Sequence, residues 1–303
     1  MPVASLYVRP CPLSRRFAVS PGRRDDRGRR DERGKRDERG RRDERGRRDD
    51  GARRASPASS PRDRQTPAER RGLTQAEYDG PPLPDDVTGK ELGPDITNQL
   101  RSLPDRLALR VSRHLVMAGR LADTDPDTAF AHARAARARA ARVAAVREAY
   151  GELAYLTGQW AEALRELKTV RRMTGRPDHL PVMADCERAL GRPERALSLA
   201  RDPAAATLDA ASRAELAIVT AGARRDRGEF DAAVSVLEGA ELRTKSRAEW
   251  VARLRYAYAD ALLAAGRDAD ALEWFHRAAA VDGQGSTDAL ERAEALQRNS
   301  GQA

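Results

Sequence analysis

Gly158-Gln159-Trp160-Ala161-Glu162-Ala163-Leu164-Arg165-Glu166-Leu167 decides how the chain folds. It holds a Gly, a varied residue at +2, an Ala at +5 and an apolar residue at +9. The same spacing returns in Gly191-Pro193-Ala196-Ala200, in Gly228-Phe230-Ala233-Leu237 and in Gly266-Asp268-Ala271-Phe275. The Ala-to-Ala intervals are 33, 37 and 38 residues. A step of 34 back from Ala163 reaches Ala129, in Ala129-x-x-x-Ala133-x-x-Ala136, where the Gly is missing. A period of this size marks a stacked structural repeat. Gly after a helix takes the left-handed cap at little cost. Ala near the start of the next helix lets two helices approach closely, and the larger residue one turn later fills the groove between hairpins. One hairpin cannot bury its apolar face alone, so neighbours must stack.

Outward from these units, helical patterning runs from about Pro94 to Arg298. Leu107, Val111 and Leu115 recur on one helix face. Asp125-Pro126 opens another helix. Ser246 with Glu249 has the form of a capping box, which places a helix start near Ala248. The spacing predicts an all-α chain of about five antiparallel hairpins, closed by a C-terminal helix from Ser286.

These residues resemble the tetratricopeptide repeat, a family of 34-residue helix–turn–helix units. Tyr150-Gly151 resembles the family's Leu-Gly pair. Gly158, Trp160, Ala163 and Leu167 resemble its turn and second helix. Tyr258-Ala259, Leu262, Gly266, Ala271, Phe275 and Ala278 repeat the match in the last unit. The likeness spans roughly residues 120–280. Glu187 and Arg224 stand where the family places an aromatic, and the family's closing Pro is missing. The resemblance implies an α-α superhelix, a solenoid whose concave groove is lined by the first helix of each unit. It implies a protein or peptide partner in that groove. Matched to the motif, the groove residues are Glu148, Glu152, Asp185, Arg188, Arg225, Tyr256 and Asp260. Arg253 is the one basic match to the carboxylate clamp of some family members, so no such clamp is expected.

Composition separates a tail from this domain. Residues 1–72 hold 23 Lys and Arg against 12 Asp and Glu, while residues 73–303 hold 33 against 35. The basic pI of about 10.1 therefore describes the tail. From Asp25 the tail repeats a six-residue unit such as Asp31-Glu32-Arg33-Gly34-Lys35-Arg36. A polyampholyte without large apolar side chains cannot offset its ordering entropy by burial. Residues 1–80 are expected to be a disordered tail and Pro/Ser linker, and residues 94–300 the helical repeat domain. Met1–Ser20 has Arg9, Arg15 and Arg16 and no acid, as transit peptides do. Pro2, Pro10 and Pro12 interrupt any amphipathic helix there, so an unstructured start is expected. Cys11 and Cys186 form no framework, which fits a reducing, cytoplasmic setting. No apolar run reaches the roughly 18 residues that span a bilayer.

The motifs of catalysis are missing. His114, His132, His179 and His276 are scattered singly, with no His-x-x-x-His or His/Cys cluster, so no metal is expected. No phosphate-binding Gly-rich loop or nucleophile elbow occurs, and no cofactor or enzymatic activity is expected. Trp160, Trp250 and Trp274 are read as packing residues. Arg134, Arg137, Arg139 and Arg142 form a basic helix that could meet phosphate. The Arg-Gly units of the tail offer weak RNA contact, with no aromatic interleaved. The expected role is a protein-binding or scaffolding module; the alternative is an RNA- or ribosome-associated accessory protein.

The periodic Ala carries a first test. Ala163→Leu or Ala271→Leu overpacks a helix crossing and costs about 1–3 kcal/mol. Ala138→Leu, on an exposed face, leaves the denaturant midpoint unchanged. Three equal midpoints would strip the repeat of structural meaning.

Overall fold

The structure, a computed structural model, describes residues 78–300. Met1–Ser20, Cys11 and the Arg-Gly units, with what is expected of them, lie outside the described residues. Among those residues there are twelve complete α-helices and no strand. They are α1 (Pro94–Leu100), α2 (Asp105–Leu121), α3 (Pro126–Ala140), α4 (Ala144–Leu156), α5 (Trp160–Thr174) and α6 (Leu180–Ala189). Then follow α7 (Pro193–Ala200), a 3-10 turn (Pro203–Thr207), α8 (Ala210–Arg225), α9 (Phe230–Glu238), α10 (Glu249–Ala264), α11 (Asp268–Ala279) and α12 (Ala289–Ser300).

The helices pair as hairpins α2/α3, α4/α5, α6/α7, α8/α9 and α10/α11. Each second helix also packs on the first helix of the next pair, and α11 packs on α12. The four glycine turns share one geometry. Gly158, Gly191, Gly228 and Gly266 have φ of +74°, +72°, +75° and +73°. At each, the glycine N–H donates three residues back, and the next residue's N–H donates five back. Gly158 bonds the Tyr155 carbonyl at 3.1 Å and Gln159 the Ala154 carbonyl at 2.7 Å. This double bond set satisfies the helix's last carbonyls and reverses the chain. The first hairpin lacks the Gly and uses a side chain instead: Asp125 accepts from the Thr128 N–H at 3.1 Å.

Ala129, Ala163, Ala196, Ala233 and Ala271 are all buried beyond 98 %, at 0–1 % exposure. Leu167, Leu237 and Phe275, one turn later, are fully enclosed. Gly151 serves the same close approach from the facing helix. A Cβ there would lie 3.0 Å from Leu167 Cγ. At α10 the expected start is right, but the capping box does not form. Ala248 is the N-cap, Glu249 is already the first helical residue, and Ser246 Oγ accepts from Ala248 N–H at 3.1 Å.

The packed body begins ahead of Pro94. Val87 and Leu92 are buried in the first core cluster. Arg113 of α2 donates to the Leu83 and Pro84 carbonyls at 3.3 and 2.8 Å. Gly80, at φ +69°, passes so close that a Cβ would lie 2.4 Å from Ala135 Cβ. Beneath it, His114 of α2 and His132 of α3 face each other, Nδ1 to Nδ1, at 3.0 Å, one donating and one accepting. Burial, then the neighbouring His132, Arg139, Arg110 and Arg113, push His114 down to about 3. Burial pushes His132 down to about 4.

Both histidines fold neutral and unfold with an ordinary value near 6.5. Their contribution is therefore complete above pH 6.5 and is lost as pH falls towards 4, by up to about 1.4 kcal/mol per pH unit for each. Urea midpoints between pH 8 and 4.5 should fall less steeply in His132→Gln than in the natural chain. Parallel slopes would mean that the pair titrates normally.

Candidate functional site

The first helices α4, α6, α8, α10 and α12 carry a continuous series of polar bridges. Tyr155 of α4 donates to Asp185 of α6 at 2.5 Å. Burial, then Asp185, pushes the Tyr155 hydroxyl up. Arg188 of α6 reaches back to Asp185 at 3.0 Å and forward to Asp226, just past α8, at 2.8 Å. Its guanidinium lies against Gly222 of α8, where a Cβ would stand 2.6 Å from Cζ. Glu215 of α8 pairs with Arg253 of α10 at 3.0 Å, both buried. Arg225 of α8 pairs with Asp260 of α10. Asp260 also accepts from Arg292 of α12 at 2.7 Å, and Arg292 donates to the Tyr256 hydroxyl at 3.1 Å.

Five of the seven groove candidates, Asp185, Arg188, Arg225, Tyr256 and Asp260, take part in these bridges. Their state differs from open ligand-binding positions. Glu152, Asp185, Tyr256 and Asp260 are 4–9 % exposed. Tyr256 packs edge-on against Phe275 with ring centroids 5.5 Å apart, and burial pushes its hydroxyl up to about 12. Arg188, Arg225 and Arg292 keep side-chain exposures of 18, 30 and 27 %, enough to reach solvent.

Glu148 and Glu152 meet a residue that sequence spacing did not connect to them. His179, which precedes α6, places Nε2 3.2 Å from Glu148 Oε1 and 3.1 Å from Glu152 Oε1. Burial alone would lower His179, but the bonds to Glu148 and Glu152 outweigh it and raise it to about 9. Glu152 Oε2 and His179 Nδ1 are buried without a hydrogen-bond partner among the described residues. The i,i+4 spacing of Glu148 and Glu152 was legible; the arrival of His179 from 27 residues further on was not.

The basic helix α3 is largely engaged with its own fold. Arg137 pairs with buried Glu166 at 2.7 Å and lies 5.1 Å over the Tyr150 ring. Arg139 has a side chain only 2 % exposed, donates to the Tyr78 and Ala135 carbonyls, and lies 4.0 Å over the Tyr78 ring. Arg134 covers Phe130 at 4.8 Å. Arg142 is exposed. Trp160 and Trp274 meet Tyr155 and Tyr258 edge-on, at 5.2 and 4.9 Å between centroids.

Two surface grooves lie away from the bridges. One, of about 550 Å³, is lined by Arg165, Lys168, Arg171 and Arg172 over Met183 and Leu199. Three of its cations have acidic partners: Arg165 bonds Glu162, Lys168 bonds Glu187 and Arg171 bonds Asp202. The other, of about 620 Å³, is lined by Tyr258 and Trp274 beside the 238–244 segment. Cys186 is buried, and burial pushes its thiol up, away from reactivity. Among the described residues no helix is long and apolar enough to cross a membrane. No protein-family model matches the chain, and no curated protein matches it in sequence.

Asp260 joins three first helices, so its charge should matter more than that of a surface acid. Asp260→Asn leaves two neighbouring guanidiniums without their shared carboxylate and costs about 2–3 kcal/mol. Asp270→Asn, in the exposed pair with Arg267, leaves the denaturant midpoint unchanged. Equal midpoints for the two variants would show that the bridges do not bear on stability.

Proposed function

We propose that the chain is a non-enzymatic protein-interaction module, a degenerate solenoid of the tetratricopeptide type. Its first-helix face receives an extended peptide or a helix of a partner. The observation that carries this is the repeated hairpin: four glycine turns of one geometry, each followed by a buried Ala at the helix crossing. Such stacks expose long faces built from equivalent helices, and these suit extended partners. The contact groups on that face are the partly exposed Arg188, Arg225 and Arg292, which favour a partner with acidic side chains or a free carboxylate. Tyr256 and Asp260 support this face from below.

The RNA-associated reading has less support, because Arg137 and Arg139 already hold Glu166 and the Tyr78 segment. Affinity capture with the full chain separates the two. A partner that survives nuclease, survives Arg134→Glu with Arg142→Glu, and is lost with Arg188→Gln plus Arg225→Gln supports the groove reading, provided the variants melt within a few degrees of the natural chain. A partner lost on nuclease treatment, whose binding falls steeply with salt and on deletion of residues 1–72, would replace it with the nucleic-acid reading.

A further inference from the structure

We propose that Glu148, Glu152 and His179 form a binding site for one divalent transition-metal ion, with Zn²⁺ the best fit. The two carboxylates come from successive turns of α4, where i,i+4 spacing puts them on one face. The imidazole comes from the residue that precedes α6. One ligand atom from each lies within 4.8 Å of the other two, and His179 Nε2 is 3.2 and 3.1 Å from the carboxylate oxygens. Atoms bonded to Zn²⁺ at about 2.0 Å in a tetrahedron stand about 3.3 Å apart. The two His179–carboxylate spacings already match that distance, and the third edge, within 4.8 Å, needs at most a small adjustment of the Glu148 side chain.

A second observation points to a ligand. Glu152 is only 4 % exposed, yet its Oε2 has no hydrogen-bond partner among the described residues. A buried carboxylate oxygen without a donor is costly. A cation that draws both oxygens towards it removes that cost. The donor set selects the ion. Mg²⁺ and Ca²⁺ take oxygen ligands and have no use for the imidazole. Copper(I) prefers sulfur. One imidazole with two carboxylates suits Zn²⁺, with water in the fourth position. The Glu148 side chain, at 14 % exposure against 9 and 5 % for the other two, is the side of entry. On binding, Nε2 gives its proton to solvent, and the ion with two carboxylates sums to zero charge.

The site also has a structural logic. The first helices α6, α8 and α10 pack directly on one another, whereas α4 and α6 approach each other less closely. An ion held by α4 and by the start of α6 would tie that junction.

The test uses the full chain, stripped with a chelator and titrated calorimetrically with zinc chloride. One equivalent should bind with micromolar affinity or better and raise the melting temperature. Magnesium chloride at the same concentration should give no heat. Glu152→Gln should weaken binding by at least about tenfold, and His179→Gln should abolish it, with circular dichroism showing that both variants are folded. Anomalous scattering at the zinc edge from a zinc-soaked crystal of the natural chain gives an answer that needs no variant. It should place the ion among the three side chains. Absence of saturable binding, undiminished binding in the two folded variants, or an ion located elsewhere would overturn the proposal.

Discussion

Everything in this fold depends on a helix ending in a left-handed glycine and restarting two residues later. At Gly158, Gly191, Gly228 and Gly266 the same pair of backbone bonds closes the turn. The direction of the second helix is therefore fixed before any side chain packs. The Ala five residues on then stands at the crossing, where a larger side chain would hold the helices apart. Turn and Ala act together: the turn sets the angle, and the Ala sets the distance. An aromatic content of 4 % is tolerable for this reason. Helices that approach this closely fill their contacts with Ala and Leu, and need few large rings.

These backbone constraints were legible in the sequence because they are local. Gly and Ala at fixed offsets have few alternative explanations. The first hairpin shows the limit of that signal, since it replaces the Gly with the Asp125 side chain. The polar groove was only half legible. Asp185, Arg188, Arg225, Tyr256 and Asp260 take part in polar bridges between neighbouring first helices, while Glu148 and Glu152 meet His179. Which residues they pair with was not legible, because it depends on the offset between hairpins separated by 33 to 38 residues. His179 was missed for the same reason. It lies in a connection rather than in a periodic position, and only the stacking of α4 and α6 brings it to two carboxylates.

The degenerate positions acquire a physical explanation in the same way. Glu187, which stands where an aromatic was expected, is 2 % exposed and accepts from Lys168 of α5 at 2.9 Å. Arg224 holds Glu229 across its own turn at 2.5 Å. Both replace apolar contact with an ion pair, Arg224 within its own turn and Glu187 to the preceding hairpin. Such exchanges give little net stability, because desolvation offsets most of the attraction. The Lys168–Glu187 pair does penalise misalignment: a hairpin shifted by one residue would leave buried Glu187 without its partner. In an Ala-rich stack, whose smooth apolar surfaces select register weakly, charge supplies the selection.

That division of labour bears on the exposed face. Arg188, Arg225 and Arg292 each spend part of their hydrogen-bonding capacity on an acid of the stack. A guanidinium has five donors in a fixed fork. Asp185 and Asp226 on Arg188, and Asp260 on Arg225 and Arg292, hold those forks in place before anything binds. Under the proposed groove reading, a partner carboxylate would meet a preorganised cation and would not bear the entropic cost of ordering it. The bridges that align the hairpins and the cations that face outward are thus the same residues, so the register of the stack and the charge pattern of its face cannot vary independently.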